Sequence, residues 1–396
     1  MTVSAPAGWR AGQLGDVIEL KRGYDLPSRD RRDGPYPIVS SSGPSGTHVE
    51  AKVKGPGVVT GRYGTIGQVF FVEGDYWPLN TALYVYDFKG SDPRFVSYFL
   101  RSVDFNKYVD KAAVPGVNRN HVHMEEVAFP PLDEQRRIAA VLGALDDKIE
   151  LNRKMNRTLE ELTQALFKSW FIDFDGHDDL VDSEIGPVPR GWKVIPLAQT
   201  GRWVSGGTPS KNSDDYWGGN IPWFSAKSLG PLWLSDSDDR VTEAGADAGS
   251  RRVPRRSVLF IVRGMSLATE WRIGMTTREA TLNQDLKAIV DDGTVLPELI
   301  LLWLLVNRDM IRAQADEAGH GTKRLPTDVL YAHAMVMPTR SDQERVAAPL
   351  VLLLARIEQN LAETTSLTDL RDTLLPKLIS GELRVPEAEE LVEATS

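Results

Sequence analysis

The chain of 396 residues contains no cysteine. Disulfides, thiolate metal sites and cysteine nucleophiles are therefore excluded, and six histidines leave few ligands for a zinc site. The N-terminus lacks an apolar run of signal-peptide length, and the most apolar later stretch, residues 296–306, is too short to span a bilayer. We expect a protein of a reducing compartment such as the cytoplasm.

Motifs of common enzymes are also missing. The chain has no G-x-x-x-x-G-K-S/T phosphate loop, no H-E-x-x-H and no Asn-Pro-Pro-Tyr motif. Glu19 and Lys21 form the E-x-K of a metal-dependent nuclease, but the preceding Asp is not in place. The acidic run from Asp173 to Asp182 lacks the Gly and the closing Glu of a calcium loop and predicts a solvated linker. The sequence therefore predicts neither a catalytic nor a metal site on this chain.

One amphipathic stretch, residues 135–171, dominates the sequence. Its apolar residues recur at alternating steps of four and three, the heptad pattern of a helix that packs lengthwise on another helix. At 1.5 Å per residue it would extend roughly 55 Å. The predicted packing positions are Ile138, Leu142, Leu145, Ile149, Asn152, Leu159, Leu166 and Trp170.

A second copy of this stretch follows 208 positions later, where Gln135 and Ile149 correspond to Gln343 and Ile357. We predict that the two helices form an antiparallel intramolecular coiled coil, with Asn152 and Asn360 as polar positions that fix its register. Pro349 either starts or kinks the second helix. The packing positions of the second copy are Val346, Leu350, Leu353, Ile357, Asn360, Leu367, Leu374 and Leu378.

The repeat continues into the region before each helix. Trp9 and Trp192 open the two copies. The sequence RYGT at 62–65 resembles RGMS at 263–266, and the LN pair at 79–80 resembles that at 282–283. The offset grows along the copies, so the second copy should carry about 20 extra residues, which we place within 205–239. The chain reads domain, long helix, domain, long helix, with an expected pseudo-two-fold relation.

Charge is distributed unevenly between these regions. The net charge is −9, yet residues 1–130 hold 15 basic and 14 acidic side chains, and residues 186–337 hold 18 and 17. The excess of negative charge therefore lies in the helical regions and their tails. Near-neutral domains with basic loops are compatible with DNA binding confined to the domains.

Several stretches together resemble the specificity (S) subunits of type I restriction–modification systems. They are LFKSWFIDFDG at 166–176, GPVPRGW at 186–192, SGGTPS and YWGGNIPWFS within 205–225, and LLPKLISGELRV at 374–385. The resemblance implies a non-catalytic subunit in which two target recognition domains each read half of a bipartite DNA site. It also implies partners: two adenine-N6 methyltransferase subunits on the spacer helices, and restriction subunits. S-adenosylmethionine would be the cofactor of the methyltransferase subunits, and ATP with Mg²⁺ that of the restriction subunits. The resemblance also implies a bacterial or archaeal cytoplasm.

With this resemblance we predict an α+β fold with two recognition domains separated by the paired helices. The predicted boundaries are 1–130 for the first recognition domain, 131–176 for the first helix, 177–189 for a linker, 190–337 for the second domain, 338–385 for the second helix and 386–396 for a disordered acidic tail.

Side chains that can bind phosphate or read bases recur in both domains. Lys and Arg suit phosphate and guanine, hydroxyls suit phosphate, and Asn suits adenine. The alternative for each is an ordinary solvated surface residue. The candidates in the first domain are Lys21, Arg22, Tyr24, Ser41, Ser42, Arg62, Tyr63, Asn118, Arg119, Asn120 and His121. Those in the second are Ser205, Thr208, Lys211, Trp223, Lys227, Arg263, Thr322, Lys323 and Arg324.

A second function remains open at this point. Duplicated domains could bind proteins, with helices that merely dimerise, which would make the chain an interaction scaffold without DNA readout. A self-contained nuclease or methyltransferase is disfavoured by the missing motifs.

Overall fold

A computed structural model describes residues 5–110, 115–319 and 321–394. The chain forms two compact units. Unit 1 comprises Met1–Leu151 and Glu363–Ser396, and unit 2 comprises Asn152–Ala362. Within the described residues, no helix is long and apolar enough to cross a membrane.

The part of unit 1 that precedes the first long helix is mainly β-structure. Its elements are β1 (Arg10–Gln13), α1 (Leu14–Val17), β2 (Glu19–Arg22), β3 (Tyr36–Ser40), β4 (Gly43–His48), β5 (Gly57–Gly61), β6 (Val69–Val72), β7 (Trp77–Pro78), β8 (Ala82–Asp87), α2 (Pro93–Arg101), α3 (Arg119–His123) and β9 (Glu126–Phe129).

These strands form an antiparallel sheet of order β2-β8-β5-β6, a smaller sheet β4-β3-β7 and the pair β1-β9. Helix α2 covers β5 and β6 because its apolar residues recur at helical spacing. Asp92 caps the helix by accepting a hydrogen bond from the backbone N–H of Phe95, and Pro93 occupies its first turn. Phe95 and Phe99 pack edge-on against Phe129 of β9. This packing leaves the opposite end of β2 and β8 free to carry polar loops.

The first long helix, α4 (Leu132–Phe171), is continuous over 40 residues. Unit 2 then contains β10 (Leu180–Ser183), β11 (Gly186–Pro189), β12 (Lys193–Pro196), β13 (Arg202–Ser205), β14 (Trp217–Phe224), β15 (Trp233–Leu234), β16 (Arg240–Val241), α5 (Glu243–Gly249), β17 (Arg252–Val253), β18 (Val258–Ile261), β19 (Arg263–Gly264), β20 (Ile273–Thr276), β21 (Ala280–Leu282), β22 (Leu286–Val290), α6 (Pro297–Val306), α7 (Arg308–Arg312), β23 (Asp316–Glu317), β24 (Lys323–Arg324), α8 (Thr327–Tyr331) and β25 (Ala334–Met337).

Unit 2 repeats the sheet plan of unit 1. Its main sheet has the order β13-β22-β18-β20-β15, its second sheet β16-β14-β21-β17, and β12 pairs with β25. The parallel pair β14-β21 corresponds to β3-β7. The segment at 177–189 that we predicted as a linker contains the hairpin β10-β11. A three-stranded ribbon, β19-β24-β23, follows directly after β18 of the main sheet.

The second long helix is preceded by a short one. Helix α9 (Arg340–Val346) ends just before Ala347, and α10 (Ala348–Ser380) begins just after it. Pro349 therefore lies in the first turn of α10, where its missing N–H has no helical partner to lose. Pro376 lies inside the last turns of α10, a position that the sequence pattern does not single out.

The C-terminal tail corrects our expectation of disorder. Residues 385–393 form helix α11 (Val385–Glu393), with Val385 and Ala388 buried in the core of unit 1. Arg384 adds an ion pair with Glu134 at 3.2 Å. The acidic composition of the segment had led us to predict disorder. Residues 395–396 lie outside the described part of the chain.

The long helices pair within each unit. In unit 1, Arg371 of α10 donates to Asp146 of α4 at 2.7 Å, and in unit 2 Asn360 donates to Asn156 at 2.8 Å. Residue numbers thus rise on one helix as they fall on the other, the antiparallel arrangement. We predicted Asn152 and Asn360 as the register-fixing positions, and both are fully buried.

The buried positions differ from the predicted ones at two places. Phe167 and Phe171 are fully buried and stack at 5.2 Å between ring centroids, whereas Leu166 and Trp170 are only half-buried. On α10, Leu354 is buried where we predicted Leu353. A straight α-helix has 3.6 residues per turn, so a strict 3.5-residue pattern drifts off the buried face. The remaining predicted positions are buried, except for the half-buried Leu159 and Val346.

Strand pairing fixes the register of the repeat. Arg22 pairs with Leu83 as Ser205 pairs with Lys287, and Gly61 pairs with Ala82 as Ile261 pairs with Leu286. The offset is therefore 183 at β2 and β13, 200 at β5 and β18, and 204 at β8 and β22. Most of the extra residues follow β14, and α5 and the turn after β19 carry many of them. Our placement of all of them within 205–239 is wrong.

Candidate nucleic-acid interface

An open depression of about 640 Å³ lies beside the end of β2 in unit 1. Three separate stretches of sequence converge there: the end of β2 with the residues after it, the turn after β5, and the segment 116–120 that leads into α3. The predicted residues that line it are Lys21, Arg22, Tyr24, Arg62, Tyr63, Asn118, Arg119 and Asn120. Asp25 and Asp110 also line it, so cations outnumber anions on its wall by four to two.

Arg62 and Tyr63 are held in place by the backbone. Both of their N–H groups donate to the carbonyl of Thr81, at 3.0 and 3.1 Å. The Arg62 guanidinium lies over the Tyr63 ring at 4.4 Å, a cation–π contact that keeps the charge at the surface. Gly116 packs against the other part of this ring, where a Cβ would come within 2.2 Å of it. The sequence at 116 therefore requires glycine.

Helix α3 presents the second cation of the depression. Asn118 caps the helix by accepting from the N–H of Asn120 at 3.1 Å, and its amide donates to Asp110. Arg119 donates to the carbonyl of Leu20 at 3.2 Å. His123 accepts the N–H of Leu20 at 2.9 Å. Burial and the neighbouring charge of Arg119 lower the pKa of His123, which keeps the ring neutral and able to accept.

The other predicted residues of unit 1 lie around this depression or outside it. Lys21 has its ammonium group over the Tyr86 ring at 4.3 Å, and Tyr24 shares a hydrogen bond with Tyr84 at 3.0 Å. Ser41 donates its N–H to Thr81, Ser42 bonds to Ser40, and His121 faces Asp110 at 3.9 Å. Ser41, Ser42 and His121 do not line the depression.

In unit 2 the ribbon brings three predicted cations together. Arg263 pairs with Arg324, and Gly264 pairs with Lys323. Lys323 is 3.9 Å from Glu317 on the adjacent strand. Thr322 precedes Lys323 in the turn that joins β23 to β24, and its N–H donates to the carbonyl of Gly319. His320, in the same predicted loop, lies outside the described residues.

Ser205 and Thr208 occupy the end of β13, at the position of Arg22 and Asp25 in unit 1. Lys287 donates to Ser205 at 2.7 Å, and burial lowers the pKa of Lys287. Thr208 donates to Gln284 at 2.6 Å. Lys227 is exposed in the turn after β14. Lys211 lines a separate depression with Trp217, Asn220 and Arg240.

Trp223 is mostly buried but lines the same depression as Lys211, and its DNA contact stays a prediction. Its side chain is 5% exposed, and its indole N–H donates to the carbonyl of Gly207 at 3.2 Å. In the sheet register it matches Ile38, which is fully buried. Trp223 therefore supports the loop at Gly207 and has no donor left for DNA.

The two units also differ in register at the key arginine. Val262 and Arg263 both donate to the carbonyl of Asp285, as Arg62 and Tyr63 do to Thr81. Leu325 donates to Val262, as Val117 does to Arg62. Val262 thus takes the place of Arg62, and Arg263 that of Tyr63. Our pairing of Arg62 with Arg263 is wrong by one residue.

Comparison with known proteins finds similarity to one family. A family model described as a type I restriction modification DNA specificity domain matches residues 6–161. The HindI specificity subunit of Haemophilus influenzae is 24% identical over 74% of this chain and 77% of that protein. The MjaIX specificity subunit of Methanocaldococcus jannaschii is 26% identical over 74% of this chain and 69% of that protein.

The chain is therefore similar to type I restriction–modification specificity subunits over most of its length. The solved S subunit from M. genitalium has the same fold, with a TM-score of 0.64 and 17% identity over 96% of this chain and 98% of that one. The predicted α+β fold with two domains and paired long helices is confirmed. The named relatives are specificity subunits of type I restriction enzymes.

Sequence analysis missed three polar residues of this chain. Asn80 and Gln284 lie in equivalent turns. Lys287, on β22, lies beside Ser205 of β13. The sequence around each of them is typical of a buried strand or its turn. Only the pairing of the strands shows that they lie beside the predicted site residues. In the part of the chain that the structure describes, no group of three His, Asp or Glu residues could hold a metal.

Proposed function

We propose that the depression of unit 1 and the end of the main sheet with its ribbon in unit 2 each read one half of a bipartite DNA site. The observation that supports this most is convergence. Eight candidates chosen from the sequence come from three separated stretches and line one depression. In unit 2, strand pairing places Arg263 opposite Arg324, and Lys323 precedes Arg324 on the same strand.

The side chains suit the two tasks of a DNA reader. Arg62, Arg119, Arg263 and Arg324 supply positive charge for phosphate, and an Arg can also donate two hydrogen bonds to guanine. Hydroxyl and amide groups next to them supply shorter-range contacts. The predicted domain boundaries, 1–130 and 190–337, are the reading modules in this proposal.

The long helices have a separate task. We propose that α4 and α10 set the distance between the half-sites and bind two adenine-N6 methyltransferase subunits, to which restriction subunits join. S-adenosylmethionine and ATP with Mg²⁺ would then be cofactors of those partners, and this chain would bind none of its own. The assembly would work in the cytoplasm of a bacterium or archaeon.

The test uses the full chain assembled with its methyltransferase partner. Methylation mapping of host DNA yields the site, and binding to a duplex with that site is measured against salt concentration. We expect log K to fall steeply with log salt. Arg62→Ala should weaken binding and reduce the slope by about one for each phosphate that the variant no longer neutralises. Arg263→Ala should do the same from unit 2.

Matched controls exist in both units. Arg10 and Lys193 are exposed cations at equivalent positions of β1 and β12, outside both proposed reading surfaces. Arg10→Ala and Lys193→Ala should leave affinity and slope near the wild-type values. A wild-type slope near zero, or an equal effect of all four substitutions, would contradict the proposed surfaces.

The interaction scaffold without DNA readout is disfavoured by the family. Replacing residues 1–130 with the corresponding domain of another specificity subunit separates the two functions. We expect a change in one half-site of the methylated motif, while the other half-site is retained. If the methylated motif did not change, the interaction scaffold would be the better explanation.

A further inference from the structure

Two tight turns lie at equivalent positions of the main sheets. In unit 1 the N–H of Ala82 closes a turn on the carbonyl of Leu79 at 2.9 Å, and in unit 2 the N–H of Leu286 closes a turn on that of Asn283 at 3.2 Å. The second residue of each turn carries a side-chain amide, Asn80 in one and Gln284 in the other. Asn80 is half-buried and Gln284 is exposed.

Backbone hydrogen bonds anchor each turn on both sides in the same way. Just before the turn, Tyr24 donates to Pro78 and Gly207 donates to Leu282, each at 2.8 Å. Within it, the carbonyls of Thr81 and Asp285 each accept two N–H groups from the strand end alongside. Neither turn can shift without breaking several of these bonds, so the two amides start from fixed backbone positions.

Close backbone approach adds to this rigidity. A Cβ on Gly23 would come within 2.2 Å of the carbonyl oxygen of Leu79, and one on Gly206 within 2.0 Å of that of Asn283. Only glycine permits this approach. The two turns therefore share their closure, their anchors and a glycine neighbour, although their sequences share few letters.

A side-chain partner orients each amide. Asn80 donates through Nδ2 to Asp25, which lines the depression of unit 1. Gln284 accepts at Oε1 from Thr208 at 2.6 Å. Asp25 and Thr208 occupy equivalent positions after β2 and β13. After these bonds Asn80 keeps one donor hydrogen and both acceptor lone pairs, and Gln284 keeps both donor hydrogens and one lone pair. Each amide can therefore still donate and accept, the pair of functions that adenine matches with N7 and N6–H in the major groove.

We propose that Asn80 and Gln284 each hydrogen-bond one adenine, one in each half-site, through its N7 and N6 atoms. This inference rests on the proposed function and deepens it by naming the base and the two residues. Arg62 and Arg263, one residue apart in register, do not form an equivalent pair. The amides do, so they are the common reading element of the two units.

The experiment uses the full chain with its methyltransferase partner and duplexes that carry the mapped site. Each adenine of the site is replaced singly by 7-deazaadenine, which lacks the N7 acceptor. For the wild type we expect one adenine per half-site at which the replacement weakens binding roughly 5- to 150-fold. Asn80→Ala should lose the sensitivity in one half-site and keep it in the other, and Gln284→Ala should do the reverse.

Controls separate base readout from a structural role. Asn106→Ala and Gln314→Ala remove exposed amides elsewhere in units 1 and 2 and should retain both sensitivities. Thermal melting of all variants should match the wild type, because the turn bonds are made by the backbone.

The outcomes are distinguishable. Loss of sensitivity at one adenine per variant supports the inference. If Asn80→Ala and Gln284→Ala bind more weakly but remain sensitive to every replacement, or bind unchanged, the adenine contacts are wrong while DNA reading stands. If the wild type binds all duplexes alike at every salt concentration, the proposed function fails, and the inference fails with it.

Discussion

At the scale of single residues, His123 is the clearest link between the stability of unit 1 and its DNA-reading surface. Its ring accepts the N–H of Leu20 from β2, and Arg119 in the same helix donates to the carbonyl of Leu20. Burial first, and then the charges of Arg119 and Lys89, lower its pKa below the usual 6.5, against an opposing effect of Glu19. The folded protein therefore needs this ring neutral.

We expect unit 1 to lose stability as the pH falls below about 6.5, because the unfolded chain then takes up a proton that the folded chain resists. Stability from this source is full above 6.5 and declines until the folded-state pKa is reached. Thermal melting between pH 7.5 and 5.5 should show a smaller pH dependence for His123→Gln, which accepts a hydrogen bond but does not titrate.

His333 in unit 2 provides the matched control. Burial lowers its pKa too, so His333→Gln should reduce the pH dependence of unit 2 and leave that of unit 1 unchanged. If His123→Gln retained the full pH dependence of unit 1, another group would have to be responsible.

Residue chemistry was predictable, but residue register was not. Lys21, Arg62 and Arg119 were chosen as cations near strand ends, and they line one depression. Matching RYGT to RGMS by letter, however, put Arg62 opposite Arg263, whereas the backbone bonds put Val262 there. Successive residues of a strand point to opposite faces, so a shift of one residue exchanges a surface arginine for a buried valine.

At the scale of elements, one glutamine joins each globular region to the start of a helix. Gln135 accepts the N–H of Asp92 at 2.8 Å and donates to Pro130 at 2.9 Å. Gln343 accepts the N–H of Leu296 at 3.0 Å and donates to Pro338 at 3.1 Å. Both are buried. The sequence repeat had paired these two residues, and the structure supplies the reason.

We predict that Gln135→Met destabilises unit 1 and Gln343→Met destabilises unit 2, each by about 1–3 kcal/mol, because a buried N–H is left without an acceptor. Hydrogen exchange should show faster exchange at Asp92 in the first variant and at Leu296 in the second. Gln359→Met, an exposed site on α10, should change stability by less than about 0.5 kcal/mol. Unchanged exchange at Asp92 and Leu296 would show that these bonds contribute little.

The helices were the most predictable elements because heptad periodicity persists over many turns. The prediction drifted where polar residues interrupt it. After Asn152 and Asn156 the next buried position is Thr163, a polar residue that breaks the apolar pattern. Phe167 and Phe171 follow it at steps of four. Helix α11 was missed for a related reason: two small apolar contacts, Val385 and Ala388, anchor an otherwise acidic segment.

At the scale of the whole molecule, both long helices run through both units. Helix α4 passes from unit 1 to unit 2 after Leu151, and α10 passes from unit 2 to unit 1 after Ala362. Insertions at these two points leave the Asp146–Arg371 and Asn156–Asn360 pairs within their own units. They therefore lengthen the helices while both of these polar pairs stay in place.

We expect that seven residues inserted after both Leu151 and Ala362 will lengthen the non-specific spacer of the recognised site. Seven helical residues add roughly 10 Å, which corresponds to about 3 base pairs at 3.4 Å each. One heptad preserves the phase of the buried seam, so both half-sites should remain as in the wild type. Methylation mapping of cells that carry the altered chain measures the spacer directly.

An insertion in α4 alone would put the paired seams out of register, and methylation should then be lost. A doubly lengthened chain that methylates DNA with the original spacer would show that the helices do not set the distance, even if both reading surfaces are correct.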